Sequence, residues 1–324
     1  MRIRTGVLAV GFLAAIFSTQ PQAQSFPARP LRLVVATTAG GGADIAFRPI
    51  AEQLSRVLGQ SVVMDFKPGA GGDIASMFVR SSPPDGYILY AASNQVVVRS
   101  AAPNAQIDAR KDFTHIAPIG RQPFMIAVNT DQIKATTLRE LMEEARRRPG
   151  KINYASYGIG SGAHLLMAML LNEAKVTMTH VPYKSTAQSV ADTVSGETQV
   201  TVGIMPTLAA HVASQGGSGK LRILAVSSAE RSPVYTDIPG MRESGSQVDY
   251  MGWSGLMGPP AMPGDVVGTL NRALNEALHD PTTAARLRQN GTSLSGGTSA
   301  ELDRIVNREY DDYARLIKET GLEL

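Results

Sequence analysis

The sequence predicts a two-lobed α/β protein with a cleft between its lobes, and three observations carry that. Short apolar runs alternate with helical patterns from residue 31 onward. The alternation pauses near residue 124 and then starts again. Glycine-rich turns stand between strand and helix in both halves.

Residues 1–25 stand apart. Arg2 and Arg4 form a positive start, GVLAVGFLAAIF (6–17) is a 12-residue apolar core, and Ala23 and Ser25 are small residues behind it. This is the pattern of a secretory signal peptide removed near residues 23–25, because the apolar run is too short to span a bilayer comfortably. The chain from residue 26 onward is long enough for two domains with cores of their own. Lys and Arg total 31 against 28 Asp and Glu, and two arginines leave with the leader, so the remainder is close to neutral. A nucleic-acid partner would call for a basic face, and none is written here. The chain has no cysteine, which excludes disulfides, a thiolate nucleophile and cysteine metal sites. Export without disulfides suits a periplasm.

In the first half, LRLVVA (31–36) reads as a buried strand that runs into the glycines of ATTAGGGADI. IAEQLSRVLG then places Ile50, Leu54 and Leu58 on one helical face and stops at Gly59. Pro49 is expected to interrupt that helix early, since proline cannot donate to the residue four back. SVVMDF (61–66) and GYILYAAS (86–93) are further strands, with KPGAGG (67–72) between them. The order implies parallel strands joined by helices.

The same pattern restarts with FMIAVN (124–129). Thr137 and Glu140 form a capping box for LRELMEEARRR, whose arginines sit favourably at the helix end. KINYAS, then YGIGSGAHLLMAMLLNEA, VTMTHVPY, a helix from about Thr186, TQVTVGIM and LRILAVSS continue the alternation. The C-terminal part is helical. Pro281 and Gly291 bracket one helix, and Thr298 and Glu301 cap the last, whose Leu302, Ile305, Tyr313 and Leu316 share a face.

Several chemistries are excluded by spacing. A phosphate loop needs G-x-x-x-x-G-K-[ST], but the first glycine cluster has no lysine, and around Gly219-Lys220 the outer positions are Ser214 and Leu221. The dinucleotide pattern fails because Ile45 stands where a third glycine belongs after Gly40 and Gly42. Neither Ser161, flanked by Ile159 and Ala163, nor Ser254, flanked by Gly252 and Leu256, is a nucleophile elbow. Five histidines (115, 164, 180, 211 and 279) lack metal-ligand spacing, and only His164 stands beside a glycine turn. No cofactor, metal or catalytic residue is expected. What remains is the property of the turns themselves. A helix N-terminus exposes unpaired amides and about half a positive charge, and glycines let an anion approach. Three such turns, AGGGAD, PGAGGD and YGIGSGAH, point to a cleft that binds a carboxylate.

Taken in order, FPARPLRLVVATTAGGGAD, KPGAGGDIA, PDGYILYAAS, ARKDFTHIAPI, INYASYGIGSGAHL, HVPYKS, LRILAVSSAERSPVYTDIP and GWSGLMGPP resemble the Bug-type solute-binding proteins of tripartite tricarboxylate transporters. The likeness covers essentially the whole chain after the leader. It implies a Venus-flytrap fold, each lobe a mostly parallel sheet flanked by helices. The first lobe would comprise 26–125 and 247–324, the second 126–246, joined by two crossover strands. It implies a periplasmic receptor, a monomer without enzymatic activity, that delivers an organic carboxylate to a membrane permease. Carried over by position, the ligand site falls on Thr37, Thr38, Ala39, Gly40, Gly41 and Gly42, then Ser93 and Asn94. The opposing lobe would contribute Ser156, Tyr157, Gly158, Gly160, Ser161 and His164.

This sequence departs from the family at Phe66, where asparagine is usual, and at Gly203 in VTVGIMPTL, where many relatives carry an aspartate facing the pocket. Gly203 and Ile204 remove the partner an amino acid's ammonium needs. Glycine there would also enlarge the pocket, favouring an aromatic mono- or dicarboxylate such as terephthalate, with citrate-like acids next. Two alternatives stay open: a binding module for periplasmic signalling, and an aspartate or glutamate receptor in which Asp44 turns inward.

Overall fold

The computed structural model describes residues 26–322 except 214, 215 and 217, so the expected leader lies outside the described residues. The chain opens with β1 (Leu31–Val35), α1 (Gly42–Leu58), β2 (Val62–Phe66), α2 (Asp73–Arg80), β3 (Ile88–Ser93), α3 (Asn94–Ala101) and β4 (Thr114–Pro123). It continues through β5 (Met125–Asn129), α4 (Leu138–Arg147), β6 (Asn153–Ser156), α5 (Gly162–Ala174), β7 (Thr179–Pro182), α6 (Thr186–Ser195), β8 (Val200–Gly203), α7 (Met205–Leu208) and β9 (Leu221–Val226). It returns with β10 (Met251–Gly258), α8 (Gly264–His279), α9 (Pro281–Gln289), β11 (Ser293–Leu294) and α10 (Ser299–Thr320).

Two sheets result, ordered β11-β4-β10-β3-β1-β2 and β7-β6-β8-β5-β9. Both are mixed where mostly parallel sheets were expected. Pairing is parallel for β1 with β2 and β3, and for β6 with β7 and β8, where helices carry the chain back. It is antiparallel wherever a strand leads into or out of the other lobe: β4 with β10, β10 with β3, and β5 with β8 and β9. Only Phe124 separates β4 from β5, so no crossover helix can restore a parallel direction there.

α1 starts behind Gly41 and ends where Gly59 takes a left-handed conformation, φ 64°. Phe47, Ile50, Ala51 and Leu54 are buried on its inner face. The expected break at Pro49 does not occur. The helix runs through it, with Pro49 buried. α4 has Thr137 as its cap, its hydroxyl accepting from the Glu140 amide at 3.2 Å. The Glu140 carboxylate reaches one residue further back than a box would, to the Thr136 amide at 2.6 Å. α10 carries the full box between Thr298 and Glu301. It buries Leu302, Val306 and Tyr313 while packing on α3 and β4, so the last helix closes the first lobe.

The crossings are tied together at Ser227. Its amide donates to the Phe124 carbonyl at 2.8 Å, its carbonyl accepts from the Tyr250 amide at 2.9 Å, and its hydroxyl accepts from the Phe124 amide at 2.8 Å. One hydrogen-bonded knot therefore joins the strands that pass between the lobes.

Candidate functional site

After β1 the chain makes a tight turn: the Gly41 amide donates to the Thr38 carbonyl at 3.2 Å, and a Cβ on Gly41 would lie 3.1 Å from that oxygen. Gly40, at φ 77°, donates its amide to Asp44 Oδ2 at 2.7 Å. Asp44 also pairs with Arg48 at 2.5 Å. The first amides of α1, by contrast, receive no side-chain cap.

Gly42 and Ala43 line a cavity of about 80 Å³ between the lobes. Ser93, Asn94 and Gln95 reach it from the start of α3, and Thr186 from the start of α6. Gly203 and Ile204 follow β8 into it, and the rings of Phe47, Phe124, Tyr157 and Trp253 form its apolar walls. Gln122, Gly252 and Ser254 come from the crossing strands. Among the described residues that line it, none is Asp, Glu, Lys, Arg or His. Thr37 also lines it, and its hydroxyl oxygen is buried without a hydrogen-bond partner. The positive ends of α1, which has no side-chain cap, and of α3 and α6, capped by Ser93 and Ser185, thus converge on an uncharged space. That field favours an anion and offers a cation no partner.

Of the residues carried over by resemblance, Thr37, Gly42, Ser93, Asn94, Tyr157, Gly203 and Ile204 line the cavity. Thr38, Ala39, Gly40 and Gly41 shape the turn instead. Ser156, Gly158, Gly160, Ser161 and His164 do not line the cavity. Ser161 is fully buried and caps α5, its hydroxyl accepting from the His164 amide at 3.3 Å. The Tyr157 hydroxyl takes the Gly162 and Ala163 amides. The start of α5 is therefore occupied by the protein's own oxygens.

His164 Nδ1 accepts from the Gly160 amide at 3.2 Å, and its ring stacks on His180 with centroids 4.0 Å apart. His180 Nε2 meets Ser156 Oγ at 2.7 Å. Burial pushes the two imidazoles down to about 3 and about 4, the neighbouring His180 adding to the shift at His164, so both are neutral near pH 7.

The second glycine turn serves the contact between lobes. The Arg99 guanidinium grips Asp73 at 2.7 and 3.2 Å, pinning the turn to α3. A Cβ on Gly71 would lie 2.9 Å from the Ile159 carbonyl oxygen of the other lobe. Gly203 also differs from expectation, because it does not enlarge the pocket. The space beyond it is filled by Thr207 Oγ1, Thr186 Cγ2 and Leu208 Cγ, at 2.9, 3.4 and 3.5 Å from a hypothetical Cβ. The absence of an acidic group at that position stands.

Sequence reasoning missed Phe47, Gln95, Gln122, Phe124, Thr186, Trp253 and Ser254. Phe47 and Phe124 read as core, and nothing local marks which strands cross between lobes. Only the Ser185 cap signal before Thr186 and the GWSG stretch could have drawn attention.

A two-lobed fold around a small cavity with no charged lining side chain is the architecture of a solute receptor. A model of the tripartite tricarboxylate transporter family receptor matches residues 46–322, and the chain belongs to that family. It is 30% identical over 325 residues to the UPF0065 protein in the tcbD-tcbE intergenic region of Pseudomonas sp. strain P51, covering 98% of this chain and 95% of that one. It is similar to the structure of the periplasmic binding protein BugD, at 29% identity and TM-score 0.84, covering 92% of this chain and 99% of that one. An R. palustris protein solved with adipate gives 29% identity and TM-score 0.85, with the same coverage. The family and these neighbours are binding proteins, not enzymes.

Proposed function

We propose that this chain is the periplasmic receptor of a tripartite tricarboxylate-type transporter, taking up an organic carboxylate without an amino group and handing it to a membrane permease. The leader at 1–25 directs export, and the lobes divide at 26–125 with 247–324 and at 126–246. The observation that carries the reading is the cavity: three helix N-termini, an unpartnered Thr37 hydroxyl and no charged side chain. One carboxylate end accepts from Thr37 and the uncapped α1 amides, while Ser93, Asn94 and Thr186 supply neutral hydrogen bonds.

The rest of the ligand lies against four aromatic rings. A cavity of about 80 Å³ has room for on the order of five to eight waters, which favours a small acid that is flat or slender. Aromatic acids such as terephthalate and linear dicarboxylates fit that description better than branched, citrate-like acids. The adipate in a similar structure supports the linear class. Against an amino-acid ligand stands Asp44, which is engaged by Gly40 and Arg48 and does not line the cavity.

A thermal-shift panel of terephthalate, benzoate, protocatechuate, nicotinate, adipate, citrate, aspartate and glutamate tests this. A ligand at a hundredfold excess over Kd adds about 2.7 kcal/mol, a shift of several degrees for a chain of this size. A plain acid should give the largest shift. If aspartate or glutamate leads and the plain acids do nothing, the reading is wrong.

A further inference from the structure

Behind the cavity wall lies a cluster of hydrogen bonds that reaches Glu309. Asn94 Nδ2 donates to the Tyr250 hydroxyl, which is bonded in turn to the Tyr313 hydroxyl. Tyr313 donates to Glu309 Oε2 at 2.9 Å, and the same oxygen accepts the indole N–H of Trp253 at 2.5 Å. Asn94, Tyr250, Trp253 and Tyr313 are each less than a tenth exposed. An indole can only donate and a carboxylate only accept, so Trp253 and Tyr313 both converge on Glu309 Oε2. Asn94 and Trp253 line the cavity, whereas Glu309 and Tyr313 do not.

We propose that Glu309 on α10 is a positioning residue for ligand binding, holding the Trp253 wall directly and the Asn94 wall through Tyr313 and Tyr250. This rests on the cavity being the ligand site.

The outer side of Glu309 borders a solvent-open groove of about 730 Å³. Arg121 of β4 lies 3.5 Å from its Oε1, and Asp312 and Arg308 share α10 beside it. Water therefore reaches the carboxyl from behind. Burial raises its proton affinity above the ordinary glutamate range, opposed by the Trp253 and Tyr313 hydrogen bonds and by Arg121, and reinforced by Asp312. Protonation would weaken the acceptor on which both walls converge.

Trp253 is the chain's one tryptophan, so its emission reads this contact without a ligand. For the full chain titrated unliganded, a step in emission is expected at a pH above the ordinary carboxylate range. Glu309→Gln, which keeps the volume and one acceptor oxygen, should abolish the step. Arg121→Gln, at a half-exposed position, should move the step to higher pH by removing the cation, and it serves if Glu309→Gln does not fold. Affinities for adipate and terephthalate, measured by calorimetry, should fall at least tenfold in Glu309→Gln. A flat wild-type profile, or the same step in both Glu309→Gln and wild type, overturns the proposal. So does unchanged affinity in Glu309→Gln for an acid that the wild type binds. If neither acid binds the wild type, the ligand reading fails while the fluorescence titration still decides the role of Glu309.

Discussion

Thr37 is where one oxygen atom carries the most information. Its hydroxyl is buried and unpaired, so folding sets it at a cost and a ligand would recover that cost. Thr37→Val should leave the melting temperature of the unliganded protein unchanged or slightly higher. The Kd for the acid leading the thermal panel should weaken about tenfold, the worth of one hydrogen bond to a charged group. Equal loss of stability and affinity would show that the hydroxyl serves the fold. Ser161 should behave in the opposite sense. As a cap, Ser161→Ala costs about 1 kcal/mol in chemical denaturation and leaves calorimetric affinity alone. The sequence made these two residues look equivalent, since each is a hydroxyl in a glycine-rich turn. What separates them is which amides are already taken: the Tyr157 hydroxyl fills the start of α5, and no side chain caps the start of α1. That depends on a ring orientation, which no spacing rule reveals. Gly203 was legible as a missing charge. It was not legible as a filled space, because Thr186, Thr207 and Leu208 close on it from other turns and helices.

Strands, helices and caps were largely legible because their signals are local: apolar periodicity, hydroxyls before helices, and glycine after α1. Strand direction was not. β4, β5 and β10 pair antiparallel because the chain passes between lobes there, and that is a decision made by residues far apart in sequence. The same distance hid Phe124 and Trp253, which wall the cavity. At this scale a close approach between the lobes lies between the start of α1 and the residue that leads into α7. A Cβ on Gly42 would lie 3.3 Å from Ile204 Cδ1, a contact Ile204 can relieve for one methyl but not for a branched side chain. Gly42→Val should therefore hold the lobes apart. Small-angle scattering of the wild type should show a smaller radius of gyration with saturating ligand, and the variant should lack most of that change. Its affinity should fall tenfold or more, consistent with an overpacking cost of about 1–3 kcal/mol. Adding Ile204→Ala should restore both. A single variant that closes normally would rule out this contact as the stop.

Across the whole molecule, the stacked pair His164 and His180 gives stability a pH dependence. Both are held below their ordinary value of 6.5, at about 3 and about 4, so the unfolded chain takes up protons before the folded one does. Stability contributed by the neutral pair is complete above pH 6.5 and is lost progressively as pH falls toward 4. The melting temperature should decline across pH 6.5 to 5, and His180→Phe, which keeps a flat ring in the stack, should flatten that decline. An unchanged slope would mean that His180 binds its proton equally well in the folded and unfolded chain. The cavity behaves differently, since its lining has no side chain that titrates in this range. Nothing in that lining can gain or lose a proton to offset an arriving acid. A dicarboxylate with both groups ionised would therefore meet no compensating titration within the lining. Loading with such an acid should shift the protein's retention on an anion exchanger, and identical retention at saturation would count against a dianionic ligand.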